Sequence, residues 1–316
     1  MLPGSIPSPD PVWSQIALGP ITIQTYALCL LAGIAAATVL THRRLRARGA
    51  VGDVTLDVVM WAVPCGIVVA RIYHVLTHLG DYTGPGSDPW EWVRIWEGGI
   101  AIFGSLIGGA LGVLVACRIA GLRFWSFADA LAPAMLLAQA IGRLGNWFNQ
   151  ELFGSPTTLP WGLEISPDAA MFPDGTPAGT LFHPLFLYEM LWNLAGVAVL
   201  LVLERRSVRR AAARVAAGLS PGPGLRWGRL FALYLVWYGL GRTWLEALRI
   251  DPTSTAPLGV PANIWTAGAA VLLGVGIFVV QGRRHAEPET SVYVPGREPA
   301  QEAGDAEPAG TRDDRA

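Results

Sequence analysis

The sequence predicts an all-α membrane protein of about seven transmembrane helices, carrying a small extracytoplasmic head segment. Two observations set the class: the chain is mostly apolar, and its few basic residues sit between the apolar runs. Of its 316 residues, 52% are hydrophobic and only 15% charged, where a soluble domain carries about 25% charge. Mean hydropathy is +0.40. These values argue against a water-soluble fold, and no nucleic-acid partner is expected. The net charge of −1 conceals a sorting. Arginine is the only strongly basic residue, since lysine is absent, and much of the acid lies in the last thirty or so residues.

Residues 1–20 are proline-rich and lack a basic n-region, so they do not read as a cleavable signal peptide. They are expected to form an extracytoplasmic N-terminal segment. Seven apolar runs follow, near 21–40, 57–79, 98–119, 127–147, 184–203, 230–248 and 263–280. Each is long enough to cross a hydrocarbon core of about 30 Å, which takes about 20 helical residues. The second, fourth and sixth contain polar residues and are less clear by hydropathy alone. A seven-helix catalytic domain over 21–280 is expected.

Arginine placement predicts the orientation. Arg43, Arg44, Arg46 and Arg48 follow the first run, and Arg118 and Arg123 follow the third. Arg205, Arg206, Arg209, Arg210 and Arg214 follow the fifth, and Arg283 and Arg284 the seventh. The opposite loops are nearly bare, with Arg94 in 80–97, none in 148–183, and Arg249 beside the membrane. An outside N-terminus and a cytoplasmic C-terminus are therefore expected.

The outer loops have their own character. Residues 80–97 carry Trp90, Trp92 and Trp96, aromatics suited to headgroup depth. Residues 148–183 form the longest outer segment, rich in proline, and are expected to make a small head with turns and short strands. The polar, acidic stretch 281–316 reads as a disordered cytoplasmic tail. Cys29, Cys65 and Cys117 lie inside apolar runs without metal-type spacing and read as packing residues.

Ionisable groups within or beside spans are the informative residues, because an arginine at mid-bilayer costs about 2.5–3.5 kcal/mol on insertion scales. Arg71, Arg143 and Arg242 stand out. Arg143 and Asn146 are three apart and share a helical face, and Gly142 and Gly145 permit close approach of another helix or a ligand. Tyr238, Arg242, Glu246 and Arg249 form one helical stripe. Gln24 and Tyr26 interrupt the first run, while His183-Pro184 opens the fifth, followed by Tyr188, Glu189 and Asn193. Glu189 inside a span needs a partner, most simply an arginine. Interhelical salt bridges alone account for any one of these groups. Two arginine stripes near the outer face point further, because guanidinium is the preferred fork for phosphate, and phosphate at that depth belongs to lipid.

These residues also carry a resemblance. Gly142-Arg143-Leu144-Gly145-Asn146-Trp147-Phe148-Asn149-Gln150-Glu151, followed by Gly154, resembles the signature block of the prolipoprotein diacylglyceryl transferases of bacterial inner membranes. Tyr26, Arg71, Gly98-Gly99 to Gly104, His183-Pro184 to Tyr188-Glu189, and Tyr238 to Arg242 to Glu246 match in the same order. The resemblance covers about residues 15–280.

The resemblance implies an enzyme of lipoprotein biosynthesis. Such an enzyme moves the diacylglyceryl group of phosphatidylglycerol, a membrane lipid, onto the lipobox cysteine in a preprolipoprotein signal peptide. A thioether forms, glycerol phosphate leaves, and no metal or other cofactor is required. It implies Arg143, Arg242, Asn146 and Tyr26 as catalytic residues. Substrate-binding residues would be Arg143, Glu151, Gly154, His183, Tyr238, Glu246 and Arg71. One departure is that some members of the family have a histidine, proposed as the base, where this chain has Phe103. The rival reading, a transporter for an anionic substrate, would be favoured by inverted repeats or paired broken helices, and the sequence shows neither. It has no H-E-x-x-H and no G-x-S-x-G either.

Overall fold

Every apolar run of the sequence is helical, because a backbone in lipid has no water to bond and must satisfy itself within the segment. The computed structural model describes residues 4–19, 21–83, 88–250 and 257–299. The helices are α1 (Thr25–Ala47), α2 (Val54–Thr77), the single turn α3 (Leu79–Tyr82), α4 (Ile102–Ile119), α5 (Phe124–Phe148), α6 (Leu185–Ala216), α7 (Arg229–Glu246) and α8 (Ala262–Arg284). Among the described residues, six of these are long and apolar enough to cross a membrane: α1, α2, α4, α5, α6 and α8. The remaining long helix, α7, has 18 residues. Arg229, Arg242 and Glu246 dilute its hydropathy, and it packs against α8, α6 and α5. The chain is an all-α multi-pass membrane protein of about seven spans.

Helix pairing follows small residues. The α4 glycines Gly104, Gly108 and Gly112 recur every fourth residue and face α2. A Cβ at Gly104 would stand 2.6 Å from the Ala70 Cα, and one at Gly112 2.8 Å from the Ala62 Cα. Backbones this close gain dispersion contacts that lipid tails cannot reproduce. The other principal pairs are α1 with α5, α7 with α8, and α5 with α6.

Three boundaries differ from the sequence expectation. Residues 21–24 form strand β2 (Ile21–Gln24), paired antiparallel with β1 (Gln15–Leu18), so α1 begins at Thr25. Its β-branched Ile-Thr-Ile favours the strand. Gly98 and Gly99 adopt φ of +98° and +71°, which delays α4 to Ile102. Finally, α6 continues through the arginine-rich stretch expected to be a loop, giving 32 residues or about 48 Å. Alanine and arginine, which dominate 205–216, are strong helix formers.

The segment 148–183 folds as a small head. Strands β3 (Pro156–Thr157), β4 (Leu163–Glu164) and β5 (Leu181–Phe182) form an antiparallel sheet of order β3-β5-β4. Phe182 is fully buried among Phe153, Leu163, Ile165 and Phe186. The N-terminal segment adds to this sheet: Ile6 forms a parallel bridge with Leu163, its N–H donating to the Gly162 carbonyl at 2.9 Å.

Polar side chains fasten the opposite end. Arg44 and Arg48 each donate to Glu204 at 2.6 Å. Asp129 of α5, fully buried, accepts from the Gly228 and Phe231 N–H groups at 2.8 and 2.9 Å. It thereby caps α7, whose own N-cap, Gly228, has no side chain.

The expected tail over 281–316 is not a disordered extension as far as residue 299. Helix α8 runs on to Arg284, and residues 285–299 fold back over the helix ends as a strap. Tyr293, 3% exposed, packs with Leu45, Val58, Leu122, Phe127 and Val292. Its hydroxyl accepts from the Val51 N–H at 2.9 Å, and Leu122 and Tyr293 form an antiparallel bridge. Two apolar residues, Val292 and Tyr293, inside an acidic stretch outweigh its polar composition. Residues 300–316 of that expected tail lie outside the described residues.

The strap should therefore carry stability. Tyr293→Ala is expected to cost about 3–5 kcal/mol, the range for emptying a buried aromatic site, and Tyr293→Phe only about 1 kcal/mol for the lost hydrogen bond. Thermal unfolding of the detergent-solubilised protein measures both. An unchanged midpoint for the alanine variant would show that the strap does not hold the helix ends.

Candidate active site

The head-proximal ends of α5, α6 and α7 bring three charged side chains together. Arg143 projects from α5, Glu189 from the first turns of α6, and Arg242 from the last turns of α7. The helices alternate in direction, so residues distant in sequence reach one level. Glu189, 8% exposed, takes Arg143 Nη2 on Oε2 and Arg242 Nη1 on Oε1 at 3.8 Å. Each arginine has found the carboxylate that a charge in a span requires.

Further polar groups extend the cluster on both sides. Arg143 Nη1 donates to Asn146 Oδ1 at 3.1 Å, and Asn146 Nδ2 donates to Glu151 Oε1 at 2.9 Å. Asn149 Nδ2 reaches the same Glu151 oxygen at 3.3 Å. On the other side, Arg242 Nη2 lies 3.1 Å from Glu246 Oε2, and Asn263 Nδ2 of α8 donates to Glu246 Oε1 at 3.0 Å. A continuous set of charge-assisted contacts thus links four helices and the start of the head. The Arg143–Glu189 contact is the close one, while Arg242 meets Glu189 at ion-pair distance, 3.8 Å. Each guanidinium carries five N–H donors, more than these partners engage, so both can also bind an anion.

The structure places the remaining expected residues as follows. Tyr26 lies over Gly145: a Cβ there would meet Tyr26 Cδ2 at 2.5 Å, so glycine seats the ring one residue from Asn146. Gly142 is looser, its nearest neighbour being Leu30 Cδ2 at 3.6 Å. Gly154 lies where three segments cross. Its N–H donates to the His183 carbonyl at 2.9 Å, it bridges to Arg249, and a Cβ would meet the Leu248 carbonyl oxygen at 2.8 Å. His183 Nδ1 lies 3.3 Å from the Tyr188 hydroxyl, which also accepts from Trp161 Nε1 at 3.1 Å. Tyr238 is partly exposed and stacks on Tyr234.

Arg71, expected among the substrate-binding residues, stands apart from the Arg143 cluster. It is 7% exposed, and each guanidinium nitrogen donates to a backbone carbonyl of the following loop. Nε reaches Trp92 at 3.0 Å, Nη1 reaches Gly98 at 2.7 Å and Gly99 at 3.2 Å, and Nη2 reaches Glu91. Its described contacts make it a staple for residues 91–99 rather than a member of the Arg143 cluster. Phe103, in the first turn of α4, is 48% exposed.

Sequence reading missed Asn149 and Asn263 as carboxylate partners, and it missed Gln150. Gln150 is 5% exposed with φ of +50°, and Leu152 has φ of +54°. Two non-glycine residues in the left-handed region flank Glu151, a local strain of the kind that clusters at functional sites. Gln150 Nε2 donates to the Pro9 carbonyl at 3.0 Å, and its Oε1 accepts from the Ser166 N–H at 2.8 Å. The N-terminal segment and the head are thereby fastened beside Glu151. No composition or spacing signal marks such a backbone.

A family model described as prolipoprotein diacylglyceryl transferase matches residues 11–280. The chain is 56% identical over 303 residues to the phosphatidylglycerol–prolipoprotein diacylglyceryl transferase of Leifsonia xyli, covering 93% of this chain and 86% of that protein. It is 45% identical over 280 residues to the protein of the same name from Bifidobacterium adolescentis, covering 86% and 79%. With phosphatidylglycerol–prolipoprotein diacylglyceryl transferase 2 of Streptomyces coelicolor it shares 46% over 277 residues, covering 88% and 81%.

Glu189 is the shared partner of both arginines, so removing its charge leaves two guanidiniums facing each other. Glu189→Gln should destabilise the protein by roughly 2 kcal/mol, less than the 3–5 of a fully buried pair, because the Arg143 side chain keeps 27% exposure. A detergent-phase unfolding midpoint equal to wild type would mean that the pairing adds nothing to the fold.

Proposed function

The chain belongs to the prolipoprotein diacylglyceryl transferase family, and we propose that its reaction runs at the Arg143–Glu189–Arg242 cluster. It is a membrane transferase whose donor is phosphatidylglycerol and whose acceptor is a prolipoprotein; the transporter reading gives way. The acceptor group is the thiol of the lipobox cysteine in the signal peptide. Its sulfur bonds to the terminal glyceryl carbon of the diacylglyceryl group, and the bond from that carbon to the phosphate-ester oxygen breaks. The bonding pair leaves on the phosphate, so glycerol phosphate departs, and the thiol proton passes to that phosphate or to water.

The observation that carries this reading is the convergence of two arginines from different helices on one carboxylate. Charge grows on the departing phosphate, and donors already fixed in place stabilise it without reorganising. Asn146, held by Glu151, orients Arg143 and can donate to an ester or phosphate oxygen. Tyr26, seated on Gly145, borders the same place. Glu246 orients Arg242 from within its own helix. Gly154 and His183 belong to the wall toward the head, where the lipid headgroup and the peptide enter, and Tyr238 lies one turn of α7 deeper than Arg242. Arg71 supports the site from outside it, by shaping the loop 91–99.

The reaction is tested with purified protein, phosphatidylglycerol and a lipobox peptide, reading the diacylglyceryl adduct by mass spectrometry. Arg143→Lys and Arg242→Lys retain charge but lose the planar fork. Each should lower turnover about 10²–10³-fold, the loss expected for one transition-state donor, in protein that still inserts. Near-wild-type turnover in both would assign the arginines a purely structural role.

The arginine sorting further supports a bacterial cytoplasmic membrane with the N-terminus and head outside and residues 205–214 in the cytoplasm. Asp168→Cys and Arg214→Cys, each in a background lacking Cys29, Cys65 and Cys117, should respond oppositely to an impermeant thiol reagent in whole cells. Labelling at 168 alone is expected. Labelling at 214 alone, or at both, would reverse or dissolve the orientation.

A further inference from the structure

The contact between α6 and α7 contains a reciprocal pair of indoles. Trp192 Nε1 donates to the Trp237 carbonyl at 3.3 Å, and Trp237 Nε1 donates to the Trp192 carbonyl at 3.1 Å. The rings stack with centroids 4.5 Å apart and planes inclined by 24°. Each ring also has a glycine seat on the opposite helix. A Cβ at Gly241 would overlap the Trp192 indole nitrogen, and a Cβ at Gly196 the Trp237 indole nitrogen.

This arrangement fixes two helices against sliding and against rotation. A donor reaching one carbonyl sets axial position, and a ring filling the groove above a glycine sets the rotational face. Two such contacts in opposite directions leave α6 and α7 one register. The register matters because of what lies beside it. Glu189 is three residues from Trp192 and on the same helical face, and Arg242 directly follows Gly241. A displacement of either helix by one residue, about 1.5 Å along its axis, would carry the Glu189 carboxylate away from Arg242.

We infer that Trp192 and Trp237 are positioning residues for the transferase reaction, locking α6 to α7 so that Glu189 holds Arg242 on the departing phosphate. This inference rests on the proposed role of Arg242 and goes beyond it, since neither indole touches the reacting atoms. Polar contacts between membrane helices are modest individually, so the lock sharpens geometry more than it holds the bundle together. A misplacement of about 1 Å can still cost 10²-fold in rate.

The test is a double-mutant cycle in turnover of phosphatidylglycerol and a lipobox peptide. Trp192→Phe and Trp237→Phe keep an aromatic ring and remove the N–H. Each is expected to lower kcat about three- to twentyfold, the range of one interhelical hydrogen bond in a membrane, with the KM for peptide unchanged. In an Arg242→Lys background, either phenylalanine substitution should cost less than about twofold, because the group it positions is already altered. Full, independent losses in that background would overturn the inference and leave the indoles as packing alone. So would wild-type kcat in both phenylalanine variants. The two variants approach the lock from opposite helices, so if one fails to insert, the other decides. If instead Arg242→Lys alone runs at wild-type rate, the reading of Arg242 fails, which is a separate result from failure of the lock.

Discussion

A carboxylate buried between three helices governs the head-proximal half of this molecule. Glu189 cannot lie in a span unpaired, and its two oxygens engage arginines from α5 and α7. Those arginines are equally dependent on it. The pairing therefore ties the fold to the proposed chemistry: the condition that lets the helices associate also fixes two guanidiniums at one point. Buried ion pairs add little net stability after desolvation, but losing one partner is severe. The arrangement is better understood as a geometric constraint than as a source of stability. The glycine seats serve it, because Gly145, Gly196 and Gly241 let an aromatic ring lie where a side chain would otherwise hold the helices apart.

The head is subordinate to the same constraint. Glu151 reaches back to Asn146, which bonds Arg143, so the chain leaving α5 must turn sharply. The left-handed backbones at Gln150 and Leu152 accomplish that turn. Gln150 then makes its strained conformation useful by tying the segment before β1 to the head through Pro9 and Ser166. The N-terminal segment completes the head sheet at Leu163, which explains why a proline-rich stretch without helical pattern is ordered. At the opposite end, Asp129 and Glu204 hold helix ends and arginines together. Polar groups thus fasten both ends of a bundle whose middle is joined by close packing.

Hydropathy made the helices legible, because the requirement it reports, apolar length against bilayer thickness, is the one that forms them. Arg143, Glu189 and Arg242 were legible as well, since charge in an apolar run is costly enough to demand a partner. The sequence could not show which partner each would take. Nothing in the spacing of Arg71 distinguishes it from Arg143, yet one donates to backbone carbonyls and the other meets the Glu189 carboxylate and the Asn146 amide. That difference arises from the loop after α3, whose Gly98 and Gly99 direct carbonyls inward. The strap was illegible for another reason. Composition averages over a window, while Val292 and Tyr293 act locally by packing among helix ends. The indole pairing was illegible because Trp192 and Trp237 carry no charge that demands a partner, and their glycine seats lie on the opposite helix.

Phe103 bears on the fate of the proton in the proposed reaction. The resemblance puts Phe103, which has no basic atom, where a histidine base is expected, so in the proposed reaction activation of the thiol would fall to its surroundings. A thiol has a pKa near 8.5, and adjacent cationic groups lower it. The arginines here are not bare charges, however, because Glu189 and Glu246 neutralise them at a distance. Their field is strong only within contact range, and a sulfur would benefit only where it meets a guanidinium edge directly. In the proposed reaction such a site would not ionise thiols in general; it would favour one already placed beside the lipid phosphate. Phosphate monoesters have a second pKa near 6, so the departing glycerol phosphate can itself accept the proton near that range. On the proposed reading, binding of both substrates would supply what an imidazole otherwise provides, and selectivity for a correctly placed cysteine would follow from the same charge balance that pairs the helices.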